Sequence, residues 1–192
     1  MPTRGNAFSR GLGKAFLKIT GWRLQGALPD LPKFMIIAAP HTSNWDFVIG
    51  MAGVFAIGLN VHWMGKHTLF KRPFGCIMRG LGGVPIERAA RHGVVDLIVE
   101  EFRRREQFLL AITPEGTRGR VDKWKTGFYY IALQSKLPVV PGFLDFGRKH
   151  LGFGPMIHPS GDADADLRLI RDFYANIQGK RPELFSPDAI RS

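Results

Sequence analysis

The sequence has one cysteine, Cys76, in 192 residues. An internal disulfide framework is thereby excluded and a reducing compartment is expected. Long apolar runs are missing too. The longest strongly apolar stretch, Phe47 to Leu59, falls short of the roughly 20 residues that cross a bilayer, so a spanning helix is not expected. The first thirty residues lack the continuous apolar core and cleavage site of a secretory leader. No G-x-S-x-G elbow, P-loop, dinucleotide fingerprint or H-E-x-x-H motif occurs, which disfavours serine-hydrolase chemistry, a bound nucleotide and a zinc-peptidase site. The six histidines, His41, His62, His67, His92, His150 and His158, form no recognisable ligand set. Acid is scarce: 16 Asp and Glu against 27 Lys and Arg give a net charge of +11. That balance points to an anionic partner such as nucleic acid, an anionic bilayer or an acidic carrier protein. Zinc-finger, RNA-recognition and helix-turn-helix patterns are absent, which leaves a nucleic-acid reading supported by charge alone.

What is present alternates strand and helix. Phe34 to Ala39 reads as a buried strand and Phe47 to Leu59 as a buried helix. Val61 to Gly65, Gly83 to Ile86, Phe108 to Ile112 and Pro138 to Phe146 read as further strands, with Met156 to His158 closing the sheet. Helices are expected at Arg91 to Glu106, Gly127 to Lys136 and Asp166 to Ile177. The alternation implies an α/β fold, one domain with a mixed central sheet layered by helices. The expected division is an N-terminal amphipathic segment over 1–30, the main domain over 31–180 and a tail over 181–192, with loose ends at Met1 to Ala7 and Gly179 to Ser192.

Between the first strand and its helix lies Pro40-His41-Thr42-Ser43-Asn44-Trp45-Asp46. An imidazole titrates near neutrality and can take a hydroxyl proton, while a neighbouring carboxylate fixes its tautomer and stabilises the imidazolium. On a continuous helix, residues at this spacing would be about 140° apart and would not share a face. They meet only if the chain bends, which Pro40 and the strand-to-helix loop provide. The competing reading is a capping box, in which Ser43 and Asp46 merely satisfy amides at the helix start.

Four blocks in order extend the reading: His41 to Asp46; Lys66, Gly75, Gly82 and Val84-Pro85-Ile86-Glu87-Arg88; Pro114-Glu115-Gly116-Thr117-Arg118; and Leu137-Pro138-Val139-Val140-Pro141. With them the chain resembles the glycerolipid acyltransferases, enzymes that acylate glycerol phosphate, lysophosphatidate and related lipids. The resemblance implies His41 and Asp46 as the catalytic pair. It assigns acceptor binding to Arg88 and to Glu115, Gly116, Thr117 and Arg118, the arginines being suited to forked contacts with phosphate oxygens. It implies no bound cofactor and no metal, an acyl-CoA or acyl carrier protein donor, and a lysophospholipid acceptor. Glu87 stands where the family commonly has Asp, and His67 and Thr68 follow Lys66 where an acidic residue is often found, so the acceptor's identity stays open.

From Phe8 to Trp22, Arg10, Lys14 and Lys18 recur every four residues, and Phe8, Leu12, Ala15, Phe16 and Ile19 occupy other helical positions. Such a segment suits an anionic membrane surface with Trp22 as interfacial anchor, or a helix that covers the domain. The expected location is cytoplasmic, peripheral on the inner face of the cell membrane. The rival to an enzyme is a non-catalytic basic module that binds nucleic acid or an anionic membrane surface.

Overall fold

The structure, a computed structural model, describes residues 1–86 and 93–192. Seven strands form one sheet: β1 (Arg23–Gln25), β2 (Lys33–Ala39), β3 (His62–Lys66), β4 (Gly83–Ile86), β5 (Phe108–Ile112), β6 (Val139–Asp145) and β7 (His150–Phe153). Their order is β1-β7-β6-β2-β5-β3-β4. All neighbours are parallel except β6 and β7, which run antiparallel, so the expected mixed α/β architecture is present. The described helices are α1 (Ala7–Thr20), α2 (Trp45–Ile57), α3 (Gly75–Gly80), α4 (Val94–Arg104), α5 (Gly127–Ser135) and α6 (Ala163–Tyr174).

The central strand β2 shows why its sequence is almost unbroken apolar: both of its faces are covered. Met35, Ile37 and Ala39 join Leu110 and Val139 under α4, α5 and α6, contributed by Val99, Phe102, Phe128, Ile131, Leu167 and Ile170. Phe34 and Ile36 point the other way, toward Leu59, Val61, Leu109 and Val140. The Tyr174 hydroxyl lies 2.7 Å from the Ile37 carbonyl and 2.9 Å from that of Gly142, so it ties α6 to the adjoining strands β2 and β6.

On the second face α1 crosses α2 at close range. A Cβ at Gly13 would fall 2.5 Å from the Ala56 amide nitrogen and 2.7 Å from the Ala52 carbonyl, so only glycine permits this approach. The helix-weakening Gly13 is therefore a packing residue. Leu17 is buried beside it, whereas Phe8, Leu12, Ala15 and Ile19 are exposed, Ile19 at 85 %. At about 100° per residue these four fall within one narrow stripe, while Phe16 turns partly inward.

Several expectations require correction. Trp22 is not an interfacial anchor: it is 7 % exposed and stands edge-on to Phe146, ring centroids 4.9 Å apart. Met156 to His158 contributes only the bridge between Ile157 and Val139, because the chain has already turned back through β7. The short edge strand β1, whose residues are all exposed, had no apolar alternation to announce it. Neither end is loose. Thr3 bridges to Leu59 and the Arg4 amide donates to the Gly58 carbonyl at 2.9 Å. At the other end Ala189 and Ile190 are buried, and the Ala189 carbonyl accepts from the Trp124 amide at 2.8 Å. A few apolar residues scattered through a polar tail are a weak sequence signal, yet Phe185, Ala189 and Ile190 pack into the core.

Candidate active site

The carboxyl ends of β6, β2, β5 and β3 lie side by side along one edge of the sheet, the place where α/β folds collect their ligands. His41 leaves β2 at the centre of that edge, and Asp46 occupies the first turn of α2, as its spacing required. His41 Nδ1 stands 3.3 Å from Asp46 Oδ2, with Asp46 only 4 % exposed. The same oxygen accepts from the Thr42 amide at 2.7 Å and the Ser43 amide at 2.8 Å. Ser43 Oγ accepts from the Trp45 amide at 3.1 Å, and the helix has no side-chain cap of the reciprocal kind. Asp46 thus both gathers loop amides and meets the imidazole, while its other oxygen, Oδ1, is buried without a hydrogen-bond partner among the described residues.

Glu115 approaches the loop from beneath. It is 3 % exposed, and both carboxylate oxygens accept from the His41 amide, at 2.9 and 3.2 Å. Burial first of all, and then the nearby Asp46 charge, raise its pKa to about 7, against the lowering effect of the His41 amide. Its carboxylate is engaged by the protein itself. The rest of its turn faces outward. Gly116, Thr117 and Arg118 line a cavity that also reaches His41 and Asp46. Gly116 adopts φ +68°, the left-handed region that glycine enters without strain. Its amide donates to the Thr113 carbonyl at 3.0 Å, so that N–H closes the turn. Arg88 lies outside the described residues.

The cavity, about 690 Å³, runs between the sheet and α2. Alternate residues of neighbouring strands floor it: Ile36 and Ala38, Trp63 and Gly65, Gly142 and Leu144, Leu151 and Phe153. Phe47, Gly50, Met51 and Val54 roof it from one face of α2. This explains a helix that is apolar nearly all round: one face packs on α1 and another lines a greasy hollow. At the rim Lys66 joins Arg118, and Lys125 folds its ammonium over Gly116, where a Cβ would fall 2.7 Å from Nζ. In the sequence Lys66 carries no assigned role and Lys125 carries no signal, since it follows the motif by a loop whose return path only the fold defines. Among the described residues no group of three or more His, Cys, Asp or Glu side chains could hold a metal ion.

This arrangement can deprotonate a hydroxyl beside an apolar hollow with cations at its edge. Comparison with known proteins gives it a family. The family model described as Acyltransferase matches residues 28–144, from the approach to β2 through β6 and including both His41 and Arg118. The chain belongs to the acyltransferase family. Over 149 residues this acyltransferase is 28 % identical to a 1-acyl-sn-glycerol-3-phosphate acyltransferase of Limnanthes douglasii, an alignment covering 73 % of the chain and 51 % of the relative. It therefore spans about half the length of that relative. The crystal structure of PlsC, the 1-acyl-sn-glycerophosphate (LPA) acyltransferase of Thermotoga maritima, superposes with a TM-score of 0.58 at 18 % identity, covering 85 % of this acyltransferase and 73 % of that chain. That similarity establishes the shared fold.

Proposed function

We propose that this acyltransferase moves a fatty acyl group from a thioester, carried by coenzyme A or acyl carrier protein, to the hydroxyl of a lysophospholipid such as 1-acylglycerol-3-phosphate. The observation that carries the reading is the His41–Asp46 pair on the wall of an apolar cavity whose rim holds Lys66 and Arg118. Asp46 faces Nδ1 and leaves Nε2, across the ring, as the base. Nε2 takes the hydroxyl proton as the oxygen attacks the thioester carbonyl; the carbon–sulfur bond then breaks, and the thiolate recovers the proton from the imidazolium. No covalent acyl-enzyme and no metal enter this sequence. The acyl chain occupies the apolar hollow, while Arg118, Lys66 and Lys125, with the Gly116–Thr117 backbone, bind the acceptor phosphate. Arg88 joins them by family resemblance. Glu115 positions His41 by holding its amide.

The acceptor class is supported by the activities for which the Limnanthes relative and the Thermotoga structure are named. A second surface supports peripheral attachment to the anionic inner face of the cell membrane. The exposed stripe of Phe8, Leu12, Ala15 and Ile19 on α1 is flanked on one side by Lys18 and, beyond it, Lys14, apolar area and positive charge together, whereas Arg10 turns toward Gly58 at the end of α2. Among the described residues no helix is long and apolar enough to cross a membrane. The test is incubation with acyl-CoA and acyl carrier protein donors against lysolipids of different headgroup, with product mass measured. An acylated phospholipid is expected. Salt-sensitive binding of nucleic acid or vesicles with no acylated product would favour the non-catalytic module.

A further inference from the structure

His41 has cations on both sides, and the strand order separates them. Lys66 ends β3 and Arg118 follows β5, with Lys125 reaching over Gly116 beside it, so all three belong to the β5–β3 side of β2. On the β6 side, the chain after α6 forms a strap over the catalytic loop. The Phe146 amide, at the end of β6, donates to the Gln178 carbonyl at 2.8 Å. Gly179 then lies so close to the loop that an added Cβ would sit 3.0 Å from Thr42 Oγ1 and 3.1 Å from Pro40 Cβ. The Arg181 amide donates to Thr42 Oγ1 at 3.2 Å, fixing the strap to the residue next to His41. Between these points the Lys180 ammonium rests 4.8 Å over the exposed Trp45 ring. The carboxylate at the end of β6, Asp145, is engaged by Arg148 at 3.1 Å.

The direct transfer proposed above, on which this inference rests, requires donor and acceptor to be bound at once. Two phosphate-bearing substrates repel each other and need separate cationic seats. We infer that Lys180 and Arg181 bind the phosphate at the end of the donor's 4′-phosphopantetheine arm, opposite the acceptor's seat at Lys66 and Arg118. Coenzyme A and acyl carrier protein share this phosphate. The strap holds the two side chains by backbone bonds, so their charges stay available at the open edge. The ring beneath Lys180 keeps its ammonium near the loop without neutralising it, since cation–π attraction leaves the charge intact.

The test is a Lys180→Gln/Arg181→Gln variant, with Arg181→Gln alone as the milder change that keeps the backbone bond to Thr42. Donors with one acyl group are compared: acyl-CoA, acyl-4′-phosphopantetheine, acyl carrier protein and phosphate-free acyl-pantetheine. The double variant should raise KM about tenfold for the phosphate-bearing donors, a typical loss for a charge-assisted phosphate contact. The acceptor KM should stay within twofold, and the difference from the parent should vanish with acyl-pantetheine. Equal loss with acyl-pantetheine, a rise confined to the acceptor KM, or a loss with acyl-CoA alone would overturn the assignment. The last outcome would move the contact to the nucleotide phosphates. Calorimetric binding of 4′-phosphopantetheine, which lacks the nucleotide phosphates, needs no turnover and separates the two readings. Weaker binding by the variant than by the parent, when the parent transfers no acyl group, would uphold the phosphate seat and remove the reaction. Equal binding by both would remove the seat.

Discussion

The loop from Pro40 to Asp46 has an inner and an outer side, and opposite charges build them. Inside, Asp46 and Glu115 are buried and hold the backbone of the loop through the amides of His41, Thr42 and Ser43. Outside, Arg118, Lys66, Lys180 and Arg181 are exposed. A buried carboxylate that accepts main-chain N–H groups sets geometry, because moving it strands amides that have no water to turn to. An exposed cation adapts to whatever anion arrives. The inner side should therefore govern the rate of transfer and the outer side the affinity for substrates.

The comparison is sharpened first at its centre. His41→Ala should lower kcat by about 10²–10⁴-fold with the fold retained, the usual contribution of a positioned general base; circular dichroism and steady-state kinetics on one preparation decide this. Asp46→Asn should lower kcat on the order of 10²-fold with little change in either KM. Activity that falls only in step with melting temperature would reduce Asp46 to a helix-start residue. On the outer side, Arg118→Gln should raise the acceptor KM about 30-fold for a phosphate-bearing lysolipid and leave a neutral hydroxyl analogue little affected. Away from the loop, Leu12→Ser on α1 should weaken partitioning onto anionic vesicles about tenfold in a sedimentation assay, since it removes one apolar side chain from the exposed stripe.

The smallest kinetic effect is expected at Glu115, where Glu115→Gln keeps an oxygen for the His41 amide and should cost about fivefold in kcat. Its sharper signature is the pH dependence of stability. The folded protein holds this proton up to about pH 7, whereas the unfolded chain releases it near 4.5, the ordinary value of a free glutamate. Below 4.5 both states carry the proton; as pH rises toward 7 only the unfolded state gains by losing it, so this contribution to stability is lost across that window. Denaturant titrations at several pH values should show the parent losing stability relative to the Gln variant. Parallel curves would place Glu115 in an environment that does not resist its charge.

Much of the inner side was legible because its chemistry is local. A strand, a proline and a helix start bring His41 to Asp46 within one loop, and the apolar runs of β2, β5 and β6 announce a sheet buried on both faces. Glu115 stands out in the sequence only as part of the Pro114-Glu115-Gly116-Thr117-Arg118 block, and its inward direction depends on a partner 74 residues away, a pairing no spacing rule reaches. The cavity was hidden for a different reason: its lining alternates along strands from distant parts of the chain, and a hollow leaves the same apolar pattern as a filled core. The strap was hidden because Gly179-Lys180-Arg181 is polar and aperiodic, and backbone bonds rather than side-chain burial hold it in place. In the sequence Gly13 is only a poor helix former; its packing role depends on α2 passing against it.

The most direct measurement counts thiol released and lipid acylated in the same reaction, for the parent and for folded His41→Ala, with an acyl thioester and 1-acylglycerol-3-phosphate. The parent should release one thiol for each phosphatidate formed, and His41→Ala should form neither at a comparable rate. Thiol release without acylated lipid, or a folded His41→Ala variant as fast as the parent, would contradict transfer to a hydroxyl activated by His41.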